Sequence, residues 1–410
     1  MKIEKMKWID SHIGIPLCFL FSVFDSLCKF LFPAGGRQDP KLVKRVVFLK
    51  PAEMGTSVIL VPTIEKTRQL YPNAELFFIG FKENVSIFQV LDLFPPRNIL
   101  SISTDSFFYV IRDTLRTIFF LRKLKVDILI DLEFFSRYTA IFSYFTGAKT
   151  RVGFHRFNSE GLYRGDLMTH KVPFNYYLHI GQSFLSLIQA TLYPAGRVPI
   201  LHPIPLSDLR VPKLIAAENA KGSSLALLKS YGAEISDSTK IVIMSPNTGE
   251  WLPYRKWPIE NYVGLSQALL SEHQDIVILI TGTQSAVADA NFMTSAVADR
   301  RLIDLTCKTS LVEFINLLHL AHVIVSVDSG PAHFACLTKI GIVCIFGPDT
   351  QVVFAPLSEK AVCLESGLAC HPCFSPFNAR TPNCNDKNKP CLQAISIQKV
   401  KEEVDKFLRM

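Results

Sequence analysis

Val325-Ser-Val-Asp-Ser-Gly-Pro-Ala-His333 decides the fold. Its apolar run reads as a buried strand that stops at Asp328, and the small residues and Pro331 that follow suit the first turn of a helix. A strand that runs through a tight turn into a helix is the building unit of a doubly wound parallel sheet. The next apolar run, 341–346, ends in Phe346-Gly-Pro348, so both turns fall at one edge of a sheet.

The pattern extends outward. Before this stretch the spacing predicts strands over 240–245, 275–281, 301–305 and 322–327, with helices over 258–271 and 309–320. Further back, Val46-Val-Phe-Leu49, Glu75-Leu-Phe-Phe-Ile-Gly80 and Val126-Asp-Ile-Leu-Ile-Asp131 read as strands, and 57–70, 107–123 and 136–145 as helices. Pro194, Pro199, Pro203, Pro205 and Pro212 separate the two series, a density that suits neither a helix nor a central strand. The expected organisation is α/β: two Rossmann-like doubly wound domains, 37–200 and 213–395, after a segment 1–36 and before a C-terminal helix over 396–410. Ligands of such sheets bind outside the carboxyl ends of the strands, here in a cleft between two facing domains.

A chain of 410 residues with 49% hydrophobic and 20% charged residues is too long for one core and too apolar for disorder. Its charge of +8 is one-sided: 26 Lys and Arg stand against 17 Asp and Glu up to Arg210, and 18 against 19 beyond it. A basic first half suits an anionic partner such as a phosphorylated lipid headgroup, a membrane surface or nucleic acid. Lys2, Lys5 and Lys7 lie ahead of an apolar run from Ile13 to Phe24. No small-x-small cleavage site follows, Asp25 and Lys29 interrupt the stretch, and its uncharged core falls short of the roughly 20 residues that span a bilayer. It reads as an amphipathic interfacial helix that presents Phe19, Phe24, Leu27, Phe30 and Leu31 to an anionic leaflet, the alternative being a helix packed on its own domain.

The turn from Asp328 to His333 offers backbone N–H groups and a helix dipole to an anion such as the diphosphate of a nucleotide sugar, with His333 near phosphate or ribose. The alternative is that Asp328 and Ser329 only cap the helix. Ser245-Pro-Asn-Thr-Gly-Glu-Trp-Leu-Pro-Tyr-Arg-Lys-Trp-Pro258 again runs from a strand into a polar turn, where Arg255 and Lys256 are placed to neutralise a departing nucleoside diphosphate. In the first domain Arg137, Lys149, Arg151, His155, Arg156, Arg164 and Lys171 are interleaved with Phe154, Phe157 and Tyr163, which suits an anionic lipid-linked sugar. No nucleic-acid motif accompanies them, so nucleic acid is not an expected partner.

Over residues 44–395 the chain resembles glycosyltransferase family 9, whose best-known members are the bacterial lipopolysaccharide heptosyltransferases. Asp328-Ser-Gly-Pro-Ala-His333 is similar to the family's nucleotide-binding signature and Arg255-Lys-Trp-Pro258 to its basic-Trp-Pro segment. Lys50 through Pro62, Tyr71-Pro-Asn-Ala-Glu75, Asp131-Leu-Glu133 and Thr146-Gly-Ala-Lys-Thr-Arg-Val-Gly-Phe154 also match in order. The resemblance implies a GT-B fold, with the acceptor on the first domain, the sugar nucleotide mostly on the second, and inversion without a metal ion. The nucleotide-sugar contacts it implies are Thr248, Gly282, Asp328, Ser329, Gly330, Pro331 and His333, and the acceptor contacts Thr56, Arg137, Arg151 and Arg156.

Two positions depart from the family. Heptosyltransferases have Met-Gly-Asp after the first strand, and that Asp is the proposed base; here the sequence is Glu53-Met54-Gly55-Thr56, and a threonine hydroxyl near neutral pH does not usefully accept a proton. Glu53 is the replacement candidate. Relatives also often carry Gly-Gly-x-x-Glu near the nucleotide ribose, whereas Gly282-Thr-Gln-Ser-Ala286 lacks the acid, which leaves the donor open between an ADP-sugar and another nucleoside-diphosphate sugar.

Cys370-x2-Cys373-x10-Cys384-x6-Cys391 encloses His371. In a reducing cytosol, the compartment expected without a secretory signal, such a cluster suits a structural zinc or a loop staple better than disulfides. Cys18, Cys28, Cys307, Cys336, Cys344 and Cys363 read as small buried residues. There is no Gly-x-Gly-x-x-Gly after a strand, no Gly-x4-Gly-Lys-Ser/Thr and no His-Glu-x-x-His, so dehydrogenase, P-loop and zincin readings lack support. The expected function is an inverting glycosyltransferase, peripheral to the inner face of the cytoplasmic membrane, that moves a sugar such as a heptose from a nucleotide donor to a lipopolysaccharide-core or related glycolipid. Its rivals are a non-catalytic GT-B binding protein that has lost the aspartate and a nucleotide-sugar epimerase.

Overall fold

The computed structural model describes residues 3–31, 39–156, 161–248, 252–378, 384 and 389–410. It divides into two compact units, Met1–Arg210 with Pro376–Arg380, and Val211–Ser375 with Thr381–Met410.

The first unit opens with α1 (Ile3–His12) and α2 (Gly14–Leu31). There follow β1 (Arg45–Leu49), α3 (Thr56–Ile59), α4 (Val61–Leu70), β2 (Glu75–Phe81), α5 (Ile87–Leu91), β3 (Ile99–Ile102) and α6 (Phe107–Leu124). The unit closes with β4 (Ile128–Asp131), α7 (Arg137–Phe145), β5 (Thr150–His155), β6 (His170–Pro173), α8 (Ile180–Ala190) and β7 (Gly196–Arg197). Seven parallel strands lie in the order β3-β2-β1-β4-β5-β6-β7. The central strand β1, in register with β2 (Val46 opposite Leu76) and β4 (Val46 opposite Ile128), is buried on both faces, which is why it is apolar throughout from Val46 to Leu49. The chain crosses the sheet one way from β1 to β3 and returns from β3 to β5, so right-handed crossovers place α4 and α5 on one face and α6 and α7 on the other.

The N-terminal pair α1–α2 docks on α7. The Asp10 carboxylate accepts the backbone N–H groups of Arg137 (3.0 Å) and Tyr138 (2.8 Å), capping α7, and pairs with the Arg137 guanidinium at 3.2 Å. Gly14 is required here, since a Cβ would sit 2.7 Å from that of Arg137. Ser22 accepts the Asp166 N–H, and Asp25, which interrupts the apolar run, is buried on the same docked side. Phe19, Leu20, Val23, Phe24 and Leu27 are left exposed. The helix is thus inverted relative to an ordinary surface helix: its small and polar side faces the protein and its apolar side faces out. The helical stretch Glu4–Cys28 runs 25 residues with a mean hydropathy of 1.5 in its best window, long and apolar enough to cross a membrane by length and composition, and longer than the uncharged run suggested. The side chains of Phe30 and Leu31, and all of Phe157, lie outside the described residues.

The second unit contains α9 (Ala220–Ser230), β8 (Lys240–Ser245), α10 (Ile259–Glu272), β9 (Ile276–Ile280), α11 (Val287–Val297), β10 (Leu302–Asp304) and α12 (Leu311–Leu320). It continues through β11 (Val323–Val327), α13 (Gly330–Ala335), β12 (Gly341–Ile345), α14 (Gln351–Phe354), β13 (Ala361–Leu364), α15 (Pro390–Gln393) and α16 (Ile397–Leu408). Its six parallel strands lie in the order β10-β9-β8-β11-β12-β13. The C-terminal helix is not a separate element: Val400, Val404 and Leu408 of α16 share one core with Leu265 and Leu269 of α10 and with β8, β9, β11 and β12. Trp257 sits wholly inside that core, its indole N–H bonded to the Ile395 carbonyl at 3.2 Å.

One titration is built into the first sheet. Burial above all, then the charge of Lys171, lowers His155 from 6.5 to about 4. The unfolded chain takes up this proton below about pH 6.5 and the folded one does not, so the stability is complete above 6.5 and is lost as the pH falls toward 4. The urea midpoint is expected to drop between pH 7 and 5, and His155→Asn to flatten that slope; an unaltered slope in the variant would assign it to other groups.

Candidate functional site

At the carboxyl edge of the first sheet, the turns after β1 and β4 bring two carboxylates to one ammonium. The Lys50 side chain is fully buried; its Nζ donates to the Ala52 carbonyl (2.8 Å) and to Glu133 Oε1 (3.0 Å) and lies 3.4 Å from Glu53 Oε2. Glu133, just beyond β4, also accepts the Ala52 N–H at 2.8 Å. Burial is the largest influence on Glu133 and raises its pKa, the charge of Glu53 adds to this, and Lys50 and the Ala52 N–H pull it part of the way back. Glu53 itself has φ of +67°, a left-handed conformation that costs a non-glycine residue of order 1 kcal/mol and is kept where the surroundings enforce it. Thr56 supplies part of that enforcement. It is buried, and its hydroxyl donates to the Glu53 carbonyl at 2.7 Å, so it shapes the turn that aims Glu53.

The expected acceptor arginines separate. Arg137 is buried, with its donors on Asp10 and on the Tyr163 carbonyl (2.7 Å). Arg151 is buried, bonded to the carbonyls of Leu167 and Ala148, both at 2.9 Å, and stacked over Tyr144. Both are corrections to the sequence reading: their guanidinium groups satisfy internal carbonyls, which a sequence cannot display. Arg156 is exposed, over the ring of Tyr163. Arg164 is buried in an ion pair with Asp131, the last residue of β4.

In the second unit, Thr248, Arg255, Lys256, Gly282, Asp328, Ser329, Gly330, Pro331 and His333 all fall in turns at the carboxyl edge of the sheet or in the first helical turn beyond it. The Arg255 guanidinium was expected to face the ligand. Instead it is buried between two carboxylates, 3.0 Å from Asp328 Oδ2 and in an ion pair with Asp349, and it also donates to the Asp328 carbonyl at 3.1 Å. Phe354 and Phe374 flank it at 5.6 Å each. Arg255 therefore ties the turns after β8, β11 and β12 together. Lys256 pairs with Asp289 but keeps 30% of its side chain exposed, so of these two cations it is the one left near solvent. The Thr248 hydroxyl donates to the Leu252 carbonyl, and a Cβ at Gly282 would fall 2.5 Å from that of Ala286, a close turn that only glycine makes. Ser329 caps the short helix α13 without a side-chain bond. His333 is buried, its Nε2 3.8 Å from Asp328 and its Nδ1 without a hydrogen-bond partner.

Cys18, Cys336 and Cys344 are buried as expected, whereas Cys307, expected to be buried, is exposed. Burial first, then the neighbouring thiols, raises Cys373 and Cys391. Cys370 and Cys384 are exposed and Cys373 and Cys391 are half-buried. Among the described residues, Glu272, His273 and Asp405 bring three potential metal ligands together, and Glu272 and Asp405 already hold the Lys401 ammonium at 2.5 and 2.8 Å.

Sequence reasoning assigned no role to Lys50, Glu133, Asp289 or Asp349. Glu133 lay inside a matching segment and Asp349 one residue past the quoted Phe346-Gly-Pro348, so the signal was there in position but not in chemistry.

A family model for glycosyltransferase family 9 (heptosyltransferase) matches residues 116–382, more than half of the chain. Lipooligosaccharide heptosyltransferase 2 of Campylobacter jejuni is 21% identical over 154 residues, 37% of this chain and 47% of that one, so the chain spans about half the length of this curated relative. The E. coli ADP-heptose lipopolysaccharide heptosyltransferase II structure aligns over 89% of this chain and 98% of its own with a TM-score of 0.65 at 19% identity. A family 9 glycosyltransferase from Veillonella parvula does so over 91% and 99%, at 0.66 and 15%. These neighbours share the GT-B fold, and the family match shows that the chain belongs to glycosyltransferase family 9, the heptosyltransferase family.

Proposed function

We propose that this chain is an inverting, metal-independent glycosyltransferase that moves a sugar, most simply a heptose, from a nucleoside-diphosphate donor to a lipopolysaccharide-type glycolipid at the cytoplasmic face of a membrane. The observation that carries this reading is the Glu53–Lys50–Glu133 cluster at the carboxyl edge of the first sheet, in a turn held open by a left-handed Glu53. Glu53 takes the proton of the acceptor hydroxyl, Lys50 keeps the paired carboxylates from repelling one another, and Glu133 fixes Lys50. In the second unit the turns around Asp328 and His333 hold the nucleotide, Lys256 neutralises the departing diphosphate, and Arg255 positions the turns rather than touching the phosphate. Family membership and the E. coli neighbour, named for ADP-heptose and lipopolysaccharide, support the donor and acceptor classes.

A melting-temperature panel of ADP, UDP, GDP, CMP and their sugar conjugates tests the donor half. A ligand at a hundred times its Kd adds about 2.7 kcal/mol to the native state. A rise with one nucleotide, and release of that nucleotide from its sugar only when truncated lipopolysaccharide is present, is the expected result. A second reading, a non-catalytic nucleotide- or glycolipid-binding protein, is favoured by Thr56 standing at the base position with its hydroxyl bonded to the backbone. Binding without turnover of any donor would select it.

A further inference from the structure

We infer that α6 is a second bilayer-docking element, which together with α2 seats the first unit on an anionic membrane. The sequence pattern marks α6 only as a helix following β3. The structure shows which way it faces. Val110, Thr117, Ile118 and Leu121 turn inward, and Phe120 meets Phe77 of β2 edge-on at 6.4 Å. Phe108, Ile111, Leu115 and Phe119 recur at helical spacing on the outer side, Phe108 and Phe119 being 68% and 69% exposed. Arg112, Arg116, Arg122 and Lys123 flank this stripe and are exposed, while Asp113 is the one acid on the helix. An apolar stripe bordered by cations is the pattern of a helix lying in the headgroup region of an anionic leaflet, and a water-facing helix has no reason to carry it.

The position of α6 strengthens the case. It lies on the same face of the sheet as α7, to which Thr114 is hydrogen-bonded through Tyr138 at 2.7 Å, and α7 is also the seat of α1–α2, whose outward side carries Phe19, Leu20 and Phe24. Two outward apolar faces therefore flank one helix on one side of the unit. The first turn of α6 leaves the sheet at the carboxyl edge, the edge that carries Glu53 and Glu133. A lipid-linked acceptor held in that leaflet would present its sugar at the edge where the base lies. The inference rests on the membrane-surface reading above and adds α6 to it.

The test is co-sedimentation of the full chain with vesicles of phosphatidylethanolamine and phosphatidylglycerol, and with neutral phosphatidylcholine vesicles. Phe108→Ser/Leu115→Ser/Phe119→Ser is expected to bind the anionic vesicles at least about tenfold more weakly, with its melting temperature unchanged because the three side chains face out. Arg112→Gln/Arg116→Gln/Lys123→Gln is expected to lose binding to anionic vesicles and none to neutral ones. Phe19→Ser/Phe24→Ser serves as the independent arm for α2. If the α2 variant loses binding and the α6 triple variant does not, the role of α6 is wrong and the membrane reading stands. If the unaltered chain binds no vesicle, both fail. If the chain is a dimer that the α6 variant dissociates, the stripe is an interface between copies and the inference is overturned.

Discussion

Glu53→Gln is expected to lower the rate of sugar transfer by about two to four orders of magnitude, the usual range for losing a general base, while the nucleotide-induced rise in melting temperature is retained. The amide keeps the shape and the left-handed turn but takes no proton. Its distance of 3.4 Å from Lys50 is long enough that the ammonium remains anchored by Glu133 and the Ala52 carbonyl, so the fold of the turn is not at risk. Glu133→Gln is the companion variant, and a smaller loss, near tenfold, is expected because it acts through Lys50. If the two effects are reversed, with Glu53→Gln near normal and Glu133→Gln inactive, Glu133 is the base and the left-handed Glu53 only holds the ammonium in place.

Arg255→Met is expected to cost about 3 to 5 kcal/mol in unfolding free energy, the range for removing one partner of a buried ion pair. The residue is buried and its guanidinium meets both Asp328 and Asp349, so its loss leaves two carboxylates in a site flanked by Phe354 and Phe374. The side chain of methionine fills comparable space, which confines the effect to charge. Urea unfolding measures it directly. Arg255→Met/Asp349→Asn should recover part of the loss, since it removes one of the stranded charges, and the difference from additivity reports the coupling. A change below about 1 kcal/mol in the single variant would mean that water reaches the pair and that Arg255 is free to meet a phosphate after all.

The strands and helices that the alternation of apolar runs predicted fall within a residue or two of those observed: 240–245 became β8, 136–145 became α7 less one residue, and 309–320 became α12 less two. Those runs were legible because a strand buried on both faces has no polar positions to blur it. The strands β3, β5, β6, β7 and β13 and the helices α5, α8, α9 and α11 were not predicted, and 57–70 proved to be two helices, since Pro62 stands at the second position of a new one. At the site, the residue types were legible and their directions were not. Arg137, Arg151 and Arg255 are cations in stretches whose composition suggests an anionic ligand, and all three turn inward to carbonyls and carboxylates supplied by other segments.

The sequence by itself determined the class of fold, the two-unit organisation and the family, because each rests on local order: strand, turn, helix, and motifs in succession. The tertiary structure alone decided which charges pair. Lys50 meets Glu133 across 83 residues, Arg255 meets Asp349 across 94, and Asp10 caps a helix 127 residues away. It also decided that α2 and α6 each leave an apolar side facing outward. Periodicity reports that a helix has two sides; only the packing of the rest of the chain chooses which of them meets the protein.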